Sequence, residues 1–106
     1  NTLVQIVARS KKPLVLKFEA NWCSPCKAMT PLIMAIEKQL EGKVDFYSAN
    51  VEHCMLTAQR YKINQIPALL AIDNGVVTSI RTGAASKAEI LQWIRQAIPE
   101  LRDHAA

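Results

Sequence analysis

Pro13-Leu14-Val15-Leu16-Lys17-Phe18-Glu19-Ala20-Asn21-Trp22-Cys23-Ser24-Pro25-Cys26-Lys27 is the stretch that decides how this chain folds. Its apolar first half, residues 13–18, reads as a buried strand. Its second half runs into Met29, Leu32, Ile33, Ile36 and Leu40, which recur at helical spacing. The two cysteines therefore stand at a strand-to-helix junction, with Cys23 at the helix start. Unpaired backbone N–H groups and the positive helix end favour a thiolate there. Two thiols separated by two residues can close a small intramolecular disulfide. Thiol–disulfide exchange needs such a pair, one sulfur to attack and the other to resolve the mixed disulfide.

Outward from this stretch, Leu3, Val4, Ile6 and Val7 predict a short amphipathic helix over Thr2–Arg9, capped by Asn1 or Thr2. Ser10-Lys11-Lys12-Pro13 is a turn, and residues 14–20 form the first strand. Pro25 lies in the first turn of the next helix, where a missing N–H costs little. Pro31 falls inside that helix and is expected to kink it, and Gly42 to end it as C′ residue. Residues 44–51 read as a strand, 52–61 as a short helix, and 68–72 as a strand opened by Ile66-Pro67. Asp73-Asn74-Gly75 signals a hairpin into a strand over residues 76–81. Ser86-Lys87-Ala88-Glu89 is a capping box. The last helix buries Ile90, Leu91, Trp93, Ile94, Ala97 and Ile98. The order α–β–α–β–α–β–β–α implies an α/β fold with a four-stranded mixed sheet and helices on both faces.

The 106 residues suit one domain spanning 1–106, and no run of 18 or more apolar residues occurs. Net charge is +4, but the basic residues are scattered and only Lys11-Lys12 are adjacent. With no stripe and no aromatic platform, a solvated basic surface is expected and no nucleic-acid partner. A lone CxxC can also be half of a zinc site. The remaining candidate ligands, His53, Cys54 and His104, do not match structural-site spacings, so no metal is expected. Three cysteines argue against a disulfide-stapled secreted fold. The start at Asn1, without methionine, reads as a processed or trimmed form and says little about compartment. Cys54, beside His53 at a helix start, reads as an incidental small residue before a regulatory or dimerising thiol.

These landmarks resemble the thioredoxin family. Trp22-Cys23-Ser24-Pro25-Cys26-Lys27 is similar to its Trp-Cys-Gly-Pro-Cys-Lys. Pro31 matches its helix proline, and Ile66-Pro67 resembles its Ile-Pro with a cis proline. Asp73-Asn74-Gly75 and Gly83 fall at its hairpin and its close-packed glycine, and the fit runs without gaps from Leu14 onward. The family's first strand, before the opening helix, is missing. The resemblance implies an exposed nucleophile at Cys23 and a buried resolving thiol at Cys26. Trp22 would shield the pair. Trp22, Ser24, Pro25, Ile66, Pro67 and Gly83 would form the substrate groove, with the Ile66 backbone bonding an extended segment.

The resemblance further implies a protein-disulfide reductase with no cofactor beyond the Cys23–Cys26 disulfide. It would act as a monomer on disulfide-containing proteins, re-reduced by a thioredoxin-reductase-like flavoprotein or a membrane electron donor. A cytoplasmic location is expected, or a periplasmic or membrane-tethered one if an N-terminal segment was removed. An oxidase or isomerase of the same fold, and a non-enzymatic binding module, are the rival readings. Two residues depart from the family: Lys17 stands where it carries a buried aspartate, and Glu19 where it often has an aromatic. They lie two apart on a strand and so share a face. Either Lys17 snorkels its amine to water, or it pairs with Glu19 and modulates the thiols; both readings stand.

Overall fold

A computed structural model describes residues 2–103. The elements are α1 (Thr2–Arg9), β1 (Leu14–Glu19), α2 (Ser24–Gln39), β2 (Asp45–Asn50), α3 (Met55–Arg60), β3 (Ala68–Asp73), β4 (Val76–Thr82) and α4 (Lys87–Ala97). A short 3-10 helix follows at Pro99–Asp103, unanticipated in sequence but anchored by buried Leu101. Asn1, one of the two expected caps of α1, and His104 lie outside the described residues.

The sheet order is β2-β1-β3-β4, with β1 parallel to β2 and antiparallel to β3, and β3 antiparallel to β4. This is the mixed four-stranded sheet that the pattern implied. β1 and β3 are central and buried on both faces, which is why both read as unbroken apolar runs. Alternate residues of each feed opposite cores. Val15, Leu69 and Ala71 meet Met29, Ile33 and Ile36 of α2 and Ile90, Trp93 and Ile94 of α4. Leu14, Leu16, Phe18, Leu70 and Ile72 meet Val7 of α1 and Ala58 of α3. Lys17 therefore belongs to the row that faces α2.

The local signals fall where the chemistry requires them. Asn74 and Gly75 both take positive φ, 54° and 77°, in the two-residue hairpin turn. Ser86 caps α4 by accepting from Glu89 N–H while the Glu89 carboxylate accepts from Ser86 N–H. Trp93 buries its ring and donates Nε1–H to Ser79 Oγ at 2.9 Å. α2 runs on through Pro31, whose ring removes the bond its nitrogen would make to the Lys27 carbonyl.

Two boundaries differ from expectation. α2 ends at Gln39 with Leu40 as C-cap, so Gly42 lies one residue beyond C′. Its φ of 83° serves the turn in which Lys43 and Val44 N–H return to Leu40 O. α3 starts at Met55 rather than Glu52, because Asn50 takes over the preceding residues. Its Oδ1 accepts from Glu52 N–H, and its carbonyl from His53 and Cys54 N–H. Leu32 and Leu91 are half-buried, at the margins of the helix faces assigned to them.

Candidate active site

β1 delivers its last residues to a turn in which Cys23 N–H bonds Ala20 O at 3.1 Å. That turn places Cys23 as N-cap of α2, with extended backbone (φ −91°, ψ 103°). Its sulfur does what an N-cap oxygen does elsewhere: Sγ accepts from Cys26 N–H at 3.2 Å. Pro25 fits the first turn because its absent donor has no partner to lose there. Cys23 and Cys26 are joined as a disulfide, with Cα atoms 5.3 Å apart.

The pair forms its own small apolar cluster with Ala20, covered by Val51 and Ile66. Both cysteines are buried, Cys23 at 4% and Cys26 at 2% exposure. That corrects the expectation of an exposed Cys23: in the oxidised form its sulfur is turned inward onto the helix terminus and its partner. Around it, Ser24, Pro25 and Trp22 are exposed, Trp22 at 67%, which excludes a core role for this indole. The Ile66-Pro67 peptide bond is cis. Ile66 touches the cysteine cluster, Pro67 is buried, and Gly83 N–H bonds Pro67 O at 2.9 Å. Thus Ile66 lies directly at the pair, and Gly83 connects to it through Pro67.

Lys17 does not snorkel. It is 3% exposed, and Nζ lies 3.0 Å from Glu19 Oε1, 3.0 Å from Cys26 O and 3.1 Å from Thr30 Oγ1. An ammonium has three protons, and here each has an acceptor. Thr30 Oγ1 itself lies 3.3 Å from Cys26 O, so hydroxyl and ammonium converge on the Cys26 carbonyl. Thr30 was not apparent from sequence as part of the site. Its signal was spacing, since it stands four residues after Cys26 and so over the same helix face. A cavity of 130 Å³ opens beside the pair, lined by Lys17, Glu19, Thr30, Met34, Glu37 and Tyr47, among others.

Cys54 is a free, half-buried thiol and packs with the core on the α1/α3 side of the sheet. A wider cleft of 520 Å³ lies between α1 and β2, near Arg9, Lys12 and Asp45. It sits at the N-terminal ends of β1 and β2, whereas the cysteines follow the C-terminal end of β1. Among the described residues no cluster of His, Cys, Asp and Glu could hold a metal ion. No described helix is long and apolar enough to cross a membrane.

Comparison with known proteins agrees with the geometry. The family model described as Thioredoxin matches residues 1–96. Thioredoxin of Rickettsia conorii is 36% identical over 92 residues, covering 87% of this chain and 88% of that protein. Thioredoxin C-2 of Corynebacterium nephridii is also 36% identical over 92 residues, covering 87% and 85%. Thioredoxin of Haemophilus influenzae is 34% identical over 93 residues, covering 88% and 87%. With its four-stranded mixed sheet and a CxxC disulfide at the start of α2, this chain belongs to the thioredoxin family and is a thiol–disulfide oxidoreductase of the protein-disulfide reductase type.

Proposed function

We propose that Cys23 is the attacking thiol and Cys26 the resolving thiol in the reduction of protein disulfides. The observation that carries this reading is Cys26 N–H, aimed at Cys23 Sγ from the first turn of α2. When the disulfide opens, that donor and the positive helix end face a thiolate on Cys23. The thiolate attacks one substrate sulfur. The substrate S–S bond breaks, a mixed disulfide forms, and the other substrate sulfur leaves as a thiolate that takes a proton from water. Cys26 gives its proton to solvent and attacks Cys23 Sγ as a thiolate. This restores the Cys23–Cys26 disulfide and frees the second substrate thiolate, so two electrons pass to substrate.

Trp22, Ser24 and Pro25 flank the disulfide as an exposed rim, and Ile66, cis-Pro67 and Gly83 form the other wall. An extended substrate segment fits between them, its backbone bonding that of Ile66. Pro67 has no N–H to compete for the acceptors of that segment. The electrons reside in the two sulfurs, so the exchange step needs no metal or organic cofactor. The dithiol is regenerated by a reductase of thioredoxin-reductase type or by a membrane electron donor. We place the protein in the cytoplasm, acting as a monomer on disulfide-bearing proteins.

Cysteine trapping tests the roles. Cys26→Ser is expected to accumulate a mixed disulfide with a reducible protein such as insulin, visible as a non-reducing gel shift. Cys23→Ser is expected not to. Trapping by Cys23→Ser alone would reverse the assignment.

A further inference from the structure

Resting on that two-cysteine reading, we infer that Lys17 is a positioning residue that anchors the Cys26 turn and holds its ammonium against the Cys26 carbonyl, beside the dithiol, favouring the reduced form. The side chain is 4% exposed and touches the carbonyl of Cys26, itself 2% exposed. Charge in such surroundings is poorly screened and acts strongly on neighbouring charge. The countercharge is placed unevenly. Glu19 is 34% exposed and borders the 130 Å³ cavity, so solvent screens the carboxylate more than the ammonium.

The two redox states feel this arrangement differently. In the disulfide both sulfurs are neutral, and the ammonium has no charge to act upon. Once two electrons enter and the S–S bond opens, a thiolate appears on Cys23 at the start of α2, the helix whose first turn the ammonium touches through Cys26 O. Its field then lowers the free energy of the reduced state alone. Stabilising the reduced state makes the disulfide a stronger oxidant. The contacts to Cys26 O and Thr30 Oγ1 keep the amine under that turn instead of letting it swing into the cavity.

The test is equilibration of purified protein with reduced and oxidised glutathione near neutral pH, read by Trp fluorescence or thiol alkylation. The reaction is protein disulfide plus two glutathione thiols giving protein dithiol plus one glutathione disulfide. Lys17→Met is expected to lower its equilibrium constant about tenfold, or about 30 mV toward more negative potential. The double variant Lys17→Met/Glu19→Gln, which leaves no unpaired charge, is expected between Lys17→Met and the wild type. It also reports if the single variant folds poorly. A purely structural role would shift oxidised and reduced forms equally and leave the constant where it was. A wild-type-like constant in the Lys17→Met variant, or in the double variant if the single one does not fold, overturns this inference alone. A wild-type protein that forms no glutathione-responsive couple overturns the two-cysteine reading, and this inference with it.

Discussion

The Lys17–Glu19 pair makes a stability prediction in which the two partners are not equivalent. Glu19→Gln leaves the ammonium in place at 3% exposure, with Cys26 O, Thr30 Oγ1 and a neutral amide as acceptors. Breaking a buried ion pair from one side costs about 3–5 kcal/mol, because the surviving charge stays desolvated. Glu19 is 34% exposed and glutamine still accepts one hydrogen bond, so the expected cost is lower, about 1–3 kcal/mol. Lys17→Met removes the buried charge itself. Glu19 can then turn to water, Cys26 O keeps the Thr30 hydroxyl, and the methionine fills most of the vacated volume. Replacing a buried charge by an apolar group of similar size is often neutral or stabilising, so this variant is expected within about 1 kcal/mol of wild type. The assay is urea unfolding of the oxidised proteins, compared by midpoint at constant m-value. Lys17→Met destabilising as much as Glu19→Gln, or more, would refute the reasoning. It would mean that the hydrogen bond to Cys26 O outweighs the cost of burying the charge.

Three further outcomes follow from other parts of the molecule. Cys54→Ser is expected to keep insulin-reduction activity within about twofold, since this thiol packs on the α1/α3 side of the sheet rather than at the pair; abolished turnover would mean a three-thiol mechanism. Ile94→Ala, at a fully buried position between α4 and the sheet, is expected to cost about 2–5 kcal/mol in urea unfolding, and a loss well under 1 kcal/mol would show α4 to be loosely docked. Glu89 titrates below its ordinary value of 4.5, chiefly because its carboxylate accepts the Ser86 backbone N–H and is bonded to the Ser86 hydroxyl, with Arg81 nearby. A depressed carboxylate contributes its stability above the ordinary value and loses it as pH falls through the folded-state value. The stability gap between wild type and Glu89→Gln should therefore be full at neutral pH and close on acidification below 4.5. A gap that persists undiminished in acid would contradict the capping-box assignment.

Features decided by a residue's own backbone were legible in the sequence. Cys23-Ser24-Pro25-Cys26 opens a helix because proline tolerates the first turn. Asn74-Gly75 turns because both residues accept positive φ, and Ser86…Glu89 caps because both side chains reach across one turn. Features decided by what lies across the sheet were not. The pattern placed Lys17 and Glu19 on one face but left open whether the amine went outward or inward. That choice depends on α2 lying over β1 closely enough for Cys26 O and Thr30 to come within 3.1 Å of Nζ. The burial of Cys23 was hidden for a similar reason, since its cover comes from Val51 and Ile66, distant in sequence. The late start of α3 escaped because helical periodicity does not register a competing side chain, and Asn50 was that competitor.

The position of Lys17 also explains why this departure from the family pattern comes with a second one, at Glu19. Residue 17 follows Val15 on the face of β1 that packs beneath α2, so whatever occupies it is cut off from water. A lysine there must find an acceptor for each ammonium proton inside the protein. One acceptor is free, the Cys26 carbonyl, which every residue type supplies. The other two are side chains: Thr30, one turn along α2, and Glu19, at the strand position where the family often has an aromatic ring. An aromatic at 19 would leave the ammonium without a countercharge, and an alanine at 30 would leave a donor unmet. Residues 17, 19 and 30 therefore form one unit, in which the carboxylate bordering the cavity compensates the cation held at the Cys26 carbonyl. Aspartate placed at 17 alone would face Glu19 and the Cys26 carbonyl, an arrangement of three acceptors with one hydroxyl to serve them. The charge at residue 17 can be reversed only if its partners change with it.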